Sequence, residues 1–308
     1  MRCAPRTVRA TESDGDLLSS IGLETHHQDS VNAYFAESSA YWAEVYEFRD
    51  VTGAIYRERR SAVLALAQKL KLPVESSILE IGCGSGSLSI QLALQGYTIQ
   101  AADSVDAMIE NTRQRAHQAG VGDRVSTVRS DVYHLGYPDD CFHLVLTIGL
   151  APWLHSLDKA ICEVARVLRP GGYLIATADN WWRLNHWLDP RYFPPLRRMK
   201  RRLRNVLERL ALIHHAGPSG RLHSIKEFDA CLSAAGLQKV EGRTLGFGPF
   251  SFLGRKLLSD SFGVKMHDWM QVLADRGVPI FRSMGTQYIV LAQKGAGHRL
   301  GCRGEHNA

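Results

Sequence analysis

The sequence predicts an α/β fold whose core is a mostly parallel sheet of seven strands. Short apolar runs of strand length alternate with helical patterns through most of the region 77–179, and the alternation resumes at 224. The composition, 45% hydrophobic and 22% charged over 308 residues, is that of a globular protein with one principal domain. Helices between successive strands imply right-handed crossovers, parallel pairing and a sheet covered on both faces.

The first four elements alternate regularly. SILEI (77–81) predicts a buried strand, and SLSIQLALQG (87–96) predicts a helix with a glycine stop. YTIQAAD (97–103) predicts the second strand, and the following segment (104–120) predicts a helix capped by Ser104. These elements form one strand–helix–strand unit and the beginning of the next.

The later elements complete the sheet around one long interruption. A helical insertion is expected at 180–222, between the fifth and sixth strands. The remaining predicted strands are 124–131, 141–149, 172–179, 237–247 and 285–294, and the remaining helices of the alternation are 156–168 and 224–236.

The ends of the chain lack periodicity. Residues 1–28 predict a flexible arm and residues 295–308 a flexible tail, so the domain is expected at 29–294. Within it, aromatic residues at helical spacing precede the first strand, which predicts a helical segment at 29–72. The N-terminus has no apolar signal-peptide core, and no run of about 18 apolar residues occurs. Six cysteines without C-x-x-C spacing predict neither a zinc site nor a disulfide framework, and a cytoplasmic location is expected.

The positive charge of the chain is concentrated in the insertion. The net charge is +6, and residues 181–209 hold nine basic and two acidic residues, a local charge of +7 that leaves the rest at −1. A helix beginning near 196 would place an apolar stripe against a basic face, and three tryptophans precede it. Three roles fit: a pocket cap with a solvated exterior, peripheral contact with an anionic membrane through 181–213, or contact with an RNA backbone.

A glycine-rich loop follows the first strand. LEIGCGSG (79–86) lies where the strand turns into a helix, a position where backbone N–H groups point at a ligand and glycine lets the ligand approach. A nicotinamide-type G-x-G-x-x-G motif would need glycine at 87, where the sequence has Ser87. A tight turn without a ligand is the alternative interpretation.

The ordered motifs resemble those of the class I S-adenosylmethionine-dependent methyltransferases, over about 40–180 and 222–294. The resemblance is carried by acid-x-G-x-G-x-G at 80–86, the acid ending strand two, RSDVYHL, VLRPGGYLI and GTQYIVLAQK. It implies a Rossmann-like doubly wound sheet with an antiparallel last strand, and S-adenosylmethionine as cofactor. The implied contacts with the methionine part of the cofactor are Glu80, Gly82, Cys83, Gly84 and Gly86.

The same resemblance assigns the ribose and adenine contacts. Asp103, with Ser104 beside it, would bind both ribose hydroxyls, because a carboxylate accepts two hydrogen bonds at once. A helix N-terminal acid is the alternative for Asp103. Asp131 and Val132 would bracket the adenine ring.

The acceptor side is less defined by the sequence. TIGLAPWLH (147–155) follows strand four, which makes His155 the candidate general base, with His186, His214 and His215 as further candidates and a surface or loop histidine as the alternative for each. No metal site is expected. The candidate acceptor contacts, each with core packing or a surface position as the alternative, are Tyr41, Trp42, Tyr46, Trp153, Trp182 and His186.

The predicted function is methyl transfer to an oxygen, carbon or nitrogen of a small, hydrophobic acceptor. The chain has neither a D/N-P-P-Y motif nor a Pro-Cys pair, which disfavours nucleobase chemistry. The central motifs are loosely similar to those of quinone-biosynthesis methyltransferases, which act on prenylated acceptors. An RNA methyltransferase using the basic insertion and a non-catalytic cofactor-binding regulatory protein are the alternatives.

Overall fold

The structure, a computed structural model, describes residues 27–190, 192–193, 218, 220–253 and 255–296. The predicted helix near 196 and the candidates His214 and His215 therefore lie outside the described residues. The helices are α1 (27–37), α2 (Ser39–Glu44), α3 (Val51–Lys69), α4 (Ser87–Leu94), α5 (Asp106–Gln118), α6 (Leu157–Val167), α7 (Asn185–Leu188), α8 (Ile225–Ala234), α9 (Asp260–Asp275) and α10 (Pro279–Met284). The strands are β1 (Ile78–Ile81), β2 (Ile99–Asp103), β3 (Val125–Arg129), β4 (Phe142–Thr147), β5 (Leu168–Asp179), β6 (Leu237–Leu245), β7 (Ser251–Phe252), β8 (Arg255–Lys256) and β9 (Gln287–Lys294).

Seven strands form one sheet in the order β3-β2-β1-β4-β5-β9-β6. β1 pairs in parallel with β2 and β4, and β9 runs antiparallel to both neighbours, β5 and β6. The predicted α/β class, the seven-stranded Rossmann-like sheet and its antiparallel last strand are confirmed. Because β9 is reversed, its first residue lies at the same edge of the sheet as the carboxyl ends of the parallel strands.

Helices cover both faces of the sheet. In β1, Ile78 packs with α3, α4 and α5 on one face, while Leu79 and Ile81 pack with α6 and α8 on the other. The strands are apolar on both sides because successive side chains point to opposite, equally buried faces. α4 after β1 and α6 after β4 thus cover opposite faces, which opens a crevice between the carboxyl ends of these two strands.

Several local expectations require correction. Ser104 does not cap α5; the N-cap is Val105, and the Ser104 hydroxyl donates to Asn32 Oδ1 at 2.8 Å. The Val105 N–H just before the helix donates to the Asp103 carboxylate at 3.0 Å. Helices α9 and α10 and the β7–β8 hairpin fill a region for which no elements were predicted.

The boundaries of the predicted arm and tail also shift. Residues 27 and 28 belong to α1, where His27 Nε2 lies 3.2 Å from the Trp153 carbonyl oxygen. At the other end, the Gly295 N–H donates to the Gly236 carbonyl at 3.2 Å. The rest of the predicted arm and tail lies outside the described residues.

The cysteines differ in state. Cys83, Cys141 and Cys231 are free thiols, whereas Cys162 is disulfide-bonded. The scattered spacing did not predict that bond, so cysteine spacing no longer supports a reducing compartment. Among the described residues, no helix combines the length and apolar character that a bilayer span requires.

Candidate functional site

A cavity of about 310 Å³ opens in the crevice between the carboxyl ends of β1 and β4. Its walls come from the loops after β1, β2, β3 and β4, from the end of β5 and the start of β9, and from the N-terminal helices α1, α2 and α3. The position matches the general rule that open α/β sheets bind ligands outside the carboxyl ends of their strands.

The glycine-rich loop forms the floor of this cavity. Gly82, Cys83 and Gly84 line it, and both glycines have positive φ, +73° and +55°. A Cβ atom on Gly84 would meet nothing within 4 Å, so this backbone faces open space in which a ligand can approach. Gly86 does not line the cavity; it is the left-handed N-cap of α4 and packs against Thr112.

Asp103 connects the loop to the end of β2. Its Oδ2 accepts the Gly84 N–H at 2.9 Å and its Oδ1 accepts the Val105 N–H at 3.0 Å. Each carboxylate oxygen retains a further lone pair, and the side chain lines the cavity, so a vicinal diol can donate to both oxygens. Burial raises the pKa of Asp103, although the backbone hydrogen bonds act in the opposite direction. The geometry fits the ribose of S-adenosylmethionine.

Glu80 lies beneath the loop with its side chain buried. Ser89 Oγ donates a hydrogen bond to its Oε2. Burial is the main cause that raises the pKa of Glu80 to about 7, against the opposing effect of the Ser89 bonds. The group therefore titrates near neutral pH while it lines the cavity.

Replacing Glu80 with glutamine is expected to flatten the pH dependence of stability. Because the folded-state pKa exceeds the unfolded value of 4.5, the native protein binds more protons, and its unfolding free energy falls as pH rises from about 4.5 to about 7. Measured by urea unfolding, the unfolding free energy of wild type should fall on the order of 3 kcal/mol over this pH range, whereas that of Glu80→Gln should not. Glu110→Gln, on the exposed side of α5, should behave as wild type. Parallel curves for wild type and Glu80→Gln would contradict the expectation.

Three further predicted residues line the other end of the cavity. Asp131 is exposed and accepts the Tyr133 N–H at 3.0 Å through Oδ1, while Val132 is buried beside it. Ser104 lines the same end after β2. A polar acceptor and an apolar wall at this point fit the edge and the face of an adenine ring.

Aromatic side chains wall the cavity on the side of α1 and α2. Trp153, from the turn after β4, stacks on Tyr34 with ring centroids 5.5 Å apart and meets Phe35 edge-to-face at 5.0 Å. Phe35 in turn contacts Trp42 at 5.5 Å. Phe35, Trp42, Tyr46 and Trp153 all line the cavity, so three of the six predicted acceptor contacts meet there.

The other three predicted acceptor contacts do not line the cavity. The side chain of Tyr41 is exposed at the surface, and Trp182 is half exposed and stacks on Trp187 with an interplanar angle of 9°. His186 is buried, and its Nε2 accepts a hydrogen bond from Arg183 Nε at 2.7 Å. The structure thus gives these residues surface or packing positions.

His155 also lies outside the cavity lining. Its ring is 4.0 Å from the Tyr133 ring, its N–H donates to the Tyr133 hydroxyl at 2.9 Å, and its carbonyl accepts from Arg221 Nη1 at 2.6 Å. Pro152, Trp153 and Leu154 line the cavity, and the lining ends before His155. The geometry does not support His155 as the general base.

Five polar side chains at the β5 and β9 side of the cavity were not predicted from the sequence. They are Tyr56, Arg59, Asp179, Arg183 and Gln287. Asp179 ends β5 as Asp103 ends β2, but the resemblance that assigned Asp103 concerns the acid at the end of the second strand only. Among the described residues, no group of three or more His, Cys, Asp or Glu side chains is arranged to hold a metal ion.

Comparison with known proteins finds methyltransferases that are similar to parts of this chain. Residues 79–176 match the family described as methyltransferase domain. The methyltransferase GfsG of Streptomyces halstedii is 36% identical over 115 residues, which cover 37% of this chain and 41% of that protein. A ubiquinone biosynthesis O-methyltransferase of Agrobacterium fabrum is 25% identical over 170 residues, covering 53% of this chain and 67% of the relative.

The curated relatives are matched over part of their length. In the first three, the matched region spans about two-fifths of the relative. The fold resembles that of magnesium protoporphyrin IX methyltransferase from Synechocystis PCC 6803, solved with bound SAH, with a TM-score of 0.58 and 16% identity over 87% of this chain and 100% of that one. Residues 79–176 thus match a methyltransferase domain, and the sheet order, the glycine loop and the strand-ending acid resemble those of class I S-adenosylmethionine-dependent methyltransferases.

Proposed function

We propose that the protein transfers the methyl group of S-adenosylmethionine to a small, hydrophobic acceptor. The observation that carries this proposal is the continuity of the cavity. The Gly84–Asp103 contact that fits the cofactor lies in the same space as the aromatic wall formed by Phe35, Trp42 and Trp153. One compartment can therefore hold a cofactor and an apolar acceptor side by side.

The cofactor supplies an activated methyl group when it is bound. The protein then has to hold the acceptor in line with the bond that breaks and exclude water. The loop and Asp103 fix one partner, while the aromatic rings and Leu150 present apolar surface to the other. In this proposal the segment 29–72 acts as a lid, and the insertion 180–222 contributes to acceptor binding.

The relatives support a small-molecule acceptor. One relative is named as a 27-O-demethylrifamycin SV methyltransferase of Amycolatopsis mediterranei, and another as a ubiquinone biosynthesis O-methyltransferase, and both names refer to small molecules. An acceptor of this class fits the aromatic cavity wall better than a nucleic acid does. A cytoplasmic location is part of the same proposal.

Turnover of labelled S-adenosylmethionine tests the function. Purified protein is incubated with lipid, quinone and RNA extracts, and transfer of the labelled methyl group is measured in each. Label in the lipid or quinone fraction is the expected result. Label in RNA alone would favour an RNA methyltransferase, and cofactor binding without transfer to any fraction would favour a regulatory protein.

A peripheral contact with anionic membranes is a second proposal, favoured by exposed apolar side chains. Trp182, Trp187 and Leu188 are each 39–49% exposed, and α7 adjoins the β7–β8 hairpin, whose Phe252 and Leu253 are also exposed. Arg255 and Lys256 follow in the same hairpin. Aromatic and basic side chains together are typical of surfaces that bind an anionic lipid interface.

Vesicle sedimentation tests the membrane contact. Binding to anionic vesicles, weaker at high salt and absent with neutral vesicles, is expected. Changing Trp182 and Trp187 to alanine should reduce the part of the binding that resists salt. Equal binding to both vesicle types, or none to either, would rule the contact out and leave the pocket-cap role for the insertion.

A further inference from the structure

Arg59 is a buried cation for which the described residues provide no ion pair within 4.0 Å. It lies on α3 with 7% of its surface exposed and lines the cavity. Its Nη2 donates to the Tyr46 hydroxyl at 3.3 Å, and its guanidinium carbon lies 4.3 Å from the centre of the Tyr56 ring. Among the described residues, no carboxylate lies within 4.0 Å of its guanidinium, and its Nε is buried without a hydrogen-bond partner. Burying a charge in this way is costly unless a ligand completes the site.

The side chain of Arg59 lies on the β4 and β5 side of the cavity, which we call the acceptor half. Its Nη1 lies close to Gly149, which is two residues after the end of β4 and on the far side of β1 from Asp103. Asp179 and Gln287 pair in register where β5 meets β9, and both line the cavity. Gln287 Oε1 is buried without a partner, like Arg59 Nε. A positive charge, a carboxylate and a free acceptor oxygen therefore surround the space beside the cofactor site.

Asp179 is held in place by a basic neighbour. Arg183 Nη1 lies 3.5 Å from Asp179 Oδ2, and 27% of the Asp179 side chain is accessible. Burial raises the pKa of Asp179, while Arg183, Arg59 and His223 act in the opposite direction. A carboxylate whose pKa is raised towards neutral is a better general base than an exposed one.

We infer, on the basis of the methyl transfer proposed above, that the acceptor is a phenol or enol whose hydroxyl loses its proton to Asp179 while Arg59 stabilises the oxyanion. Arg59 would repel the cation of a protonated amine, and Asp179 would repel a carboxylate. An aliphatic alcohol is too weak an acid for a carboxylate base, whereas a phenol has a pKa of about 10. An acidic hydroxyl uses all three groups, because Gln287 Oε1 can accept its hydrogen bond before ionisation.

The acceptor, Asp179 and the cofactor account for every proton and electron pair in the transfer. The acceptor O–H bond breaks and its proton moves to the Asp179 carboxylate. The oxygen forms a bond to the methyl carbon, the carbon–sulfur bond breaks, and its electron pair remains on sulfur. A methyl ether and the neutral thioether S-adenosylhomocysteine result, and the accessible Asp179 releases its proton to solvent.

4-Nitrophenol is the probe for the site, because its phenolate and phenol forms have different visible spectra. Titrated against protein loaded with S-adenosylhomocysteine, it should bind to wild type with a lowered apparent pKa. Arg59→Met should raise that pKa and Asp179→Asn should lower it, each by about one unit or tenfold in ionisation. If either residue had only a structural role, the two variants would not be expected to shift the nitrophenol pKa in opposite directions. Lys69→Met, at the exposed end of the same helix, is the matched control and should leave it unchanged.

Calorimetry with S-adenosylhomocysteine separates a role of Arg59 towards the acceptor from a role in binding the cofactor. Its affinity should stay within about twofold of wild type in Arg59→Met, and Arg59→Gln, which also removes the charge, replaces it if the methionine variant does not fold. A tenfold loss of this affinity with an unchanged nitrophenol pKa would assign Arg59 to the cofactor carboxylate and overturn the inference. A wild-type protein that binds the thioether but not nitrophenol would also overturn it. Failure to bind the thioether at all would reject the proposed function itself.

Discussion

Changing Asp103 to alanine is expected to weaken binding of S-adenosylhomocysteine about 100-fold. The ribose would lose two charge-assisted hydrogen bonds, each worth about 1.5–3 kcal/mol before water compensates, and a net loss of about 3 kcal/mol corresponds to that factor. Isothermal titration calorimetry measures it directly. Asp106→Ala, three residues later with a mostly exposed side chain, should bind as wild type.

Because Asp103 also accepts the Gly84 N–H, a second variant is needed to separate ribose binding from the position of the loop. Asp103→Asn keeps a carbonyl oxygen that can accept one hydrogen bond, so its affinity should fall between wild type and alanine. Thermal unfolding of all three proteins shows whether the loss comes from the loop or from the fold. Unchanged affinity in a folded Asp103→Ala protein would remove this residue from the cofactor site.

Changing Gly86 to alanine is expected to destabilise the protein by about 3 kcal/mol. The residue has φ +73°, which costs an L-residue about 1–2 kcal/mol, and its new Cβ would lie 2.7 Å from Thr112 Cγ2. Thr112 Oγ1 also donates to the Gly84 carbonyl at 2.8 Å, so displacement of this side chain would disturb the cofactor loop. Urea unfolding measures the loss.

Gly120 supplies the matched control for Gly86. It has nearly the same φ, +71°, but a Cβ there would meet nothing within 4 Å. Gly120→Ala should therefore cost about 1 kcal/mol, which is the backbone part alone. Equal losses in the two variants would show that Thr112 moves aside without cost.

The sheet and the cofactor half of the cavity could be predicted because their signals are local. A buried strand, a glycine turn and an acid at the carboxyl end of the next strand each appear in a few consecutive letters. Asp103 was found on that basis, and the structure places it in contact with Gly84. The predicted cap at Ser104 was wrong, because the Ser104 hydroxyl donates to Asn32 Oδ1 instead of accepting a backbone N–H of the helix.

The acceptor half could not be predicted in the same way because its side chains come from distant segments. Arg57, Arg59 and Arg60 lie within one turn of α3, and their letters do not show which of them enters the cavity. Arg57 donates to the carbonyls of Tyr46 and Phe48, and Arg60 donates to Ser87, which leaves Arg59 to the cavity. Only the packing of α3 against the loops after β1 and β4 distinguishes them.

The reversed strand β9 also determines when the protein can fold during synthesis. It lies in the interior of the sheet, between β5 and β6, although it is the last of these seven strands to leave the ribosome. A nascent chain that ends before Gln287 therefore has two unpaired strand edges, which are templates for aggregation. It also lacks one wall of the acceptor half. The cofactor site can consequently form before the acceptor site is complete. A nascent chain needs protection from aggregation until β9 has paired with β5 and β6.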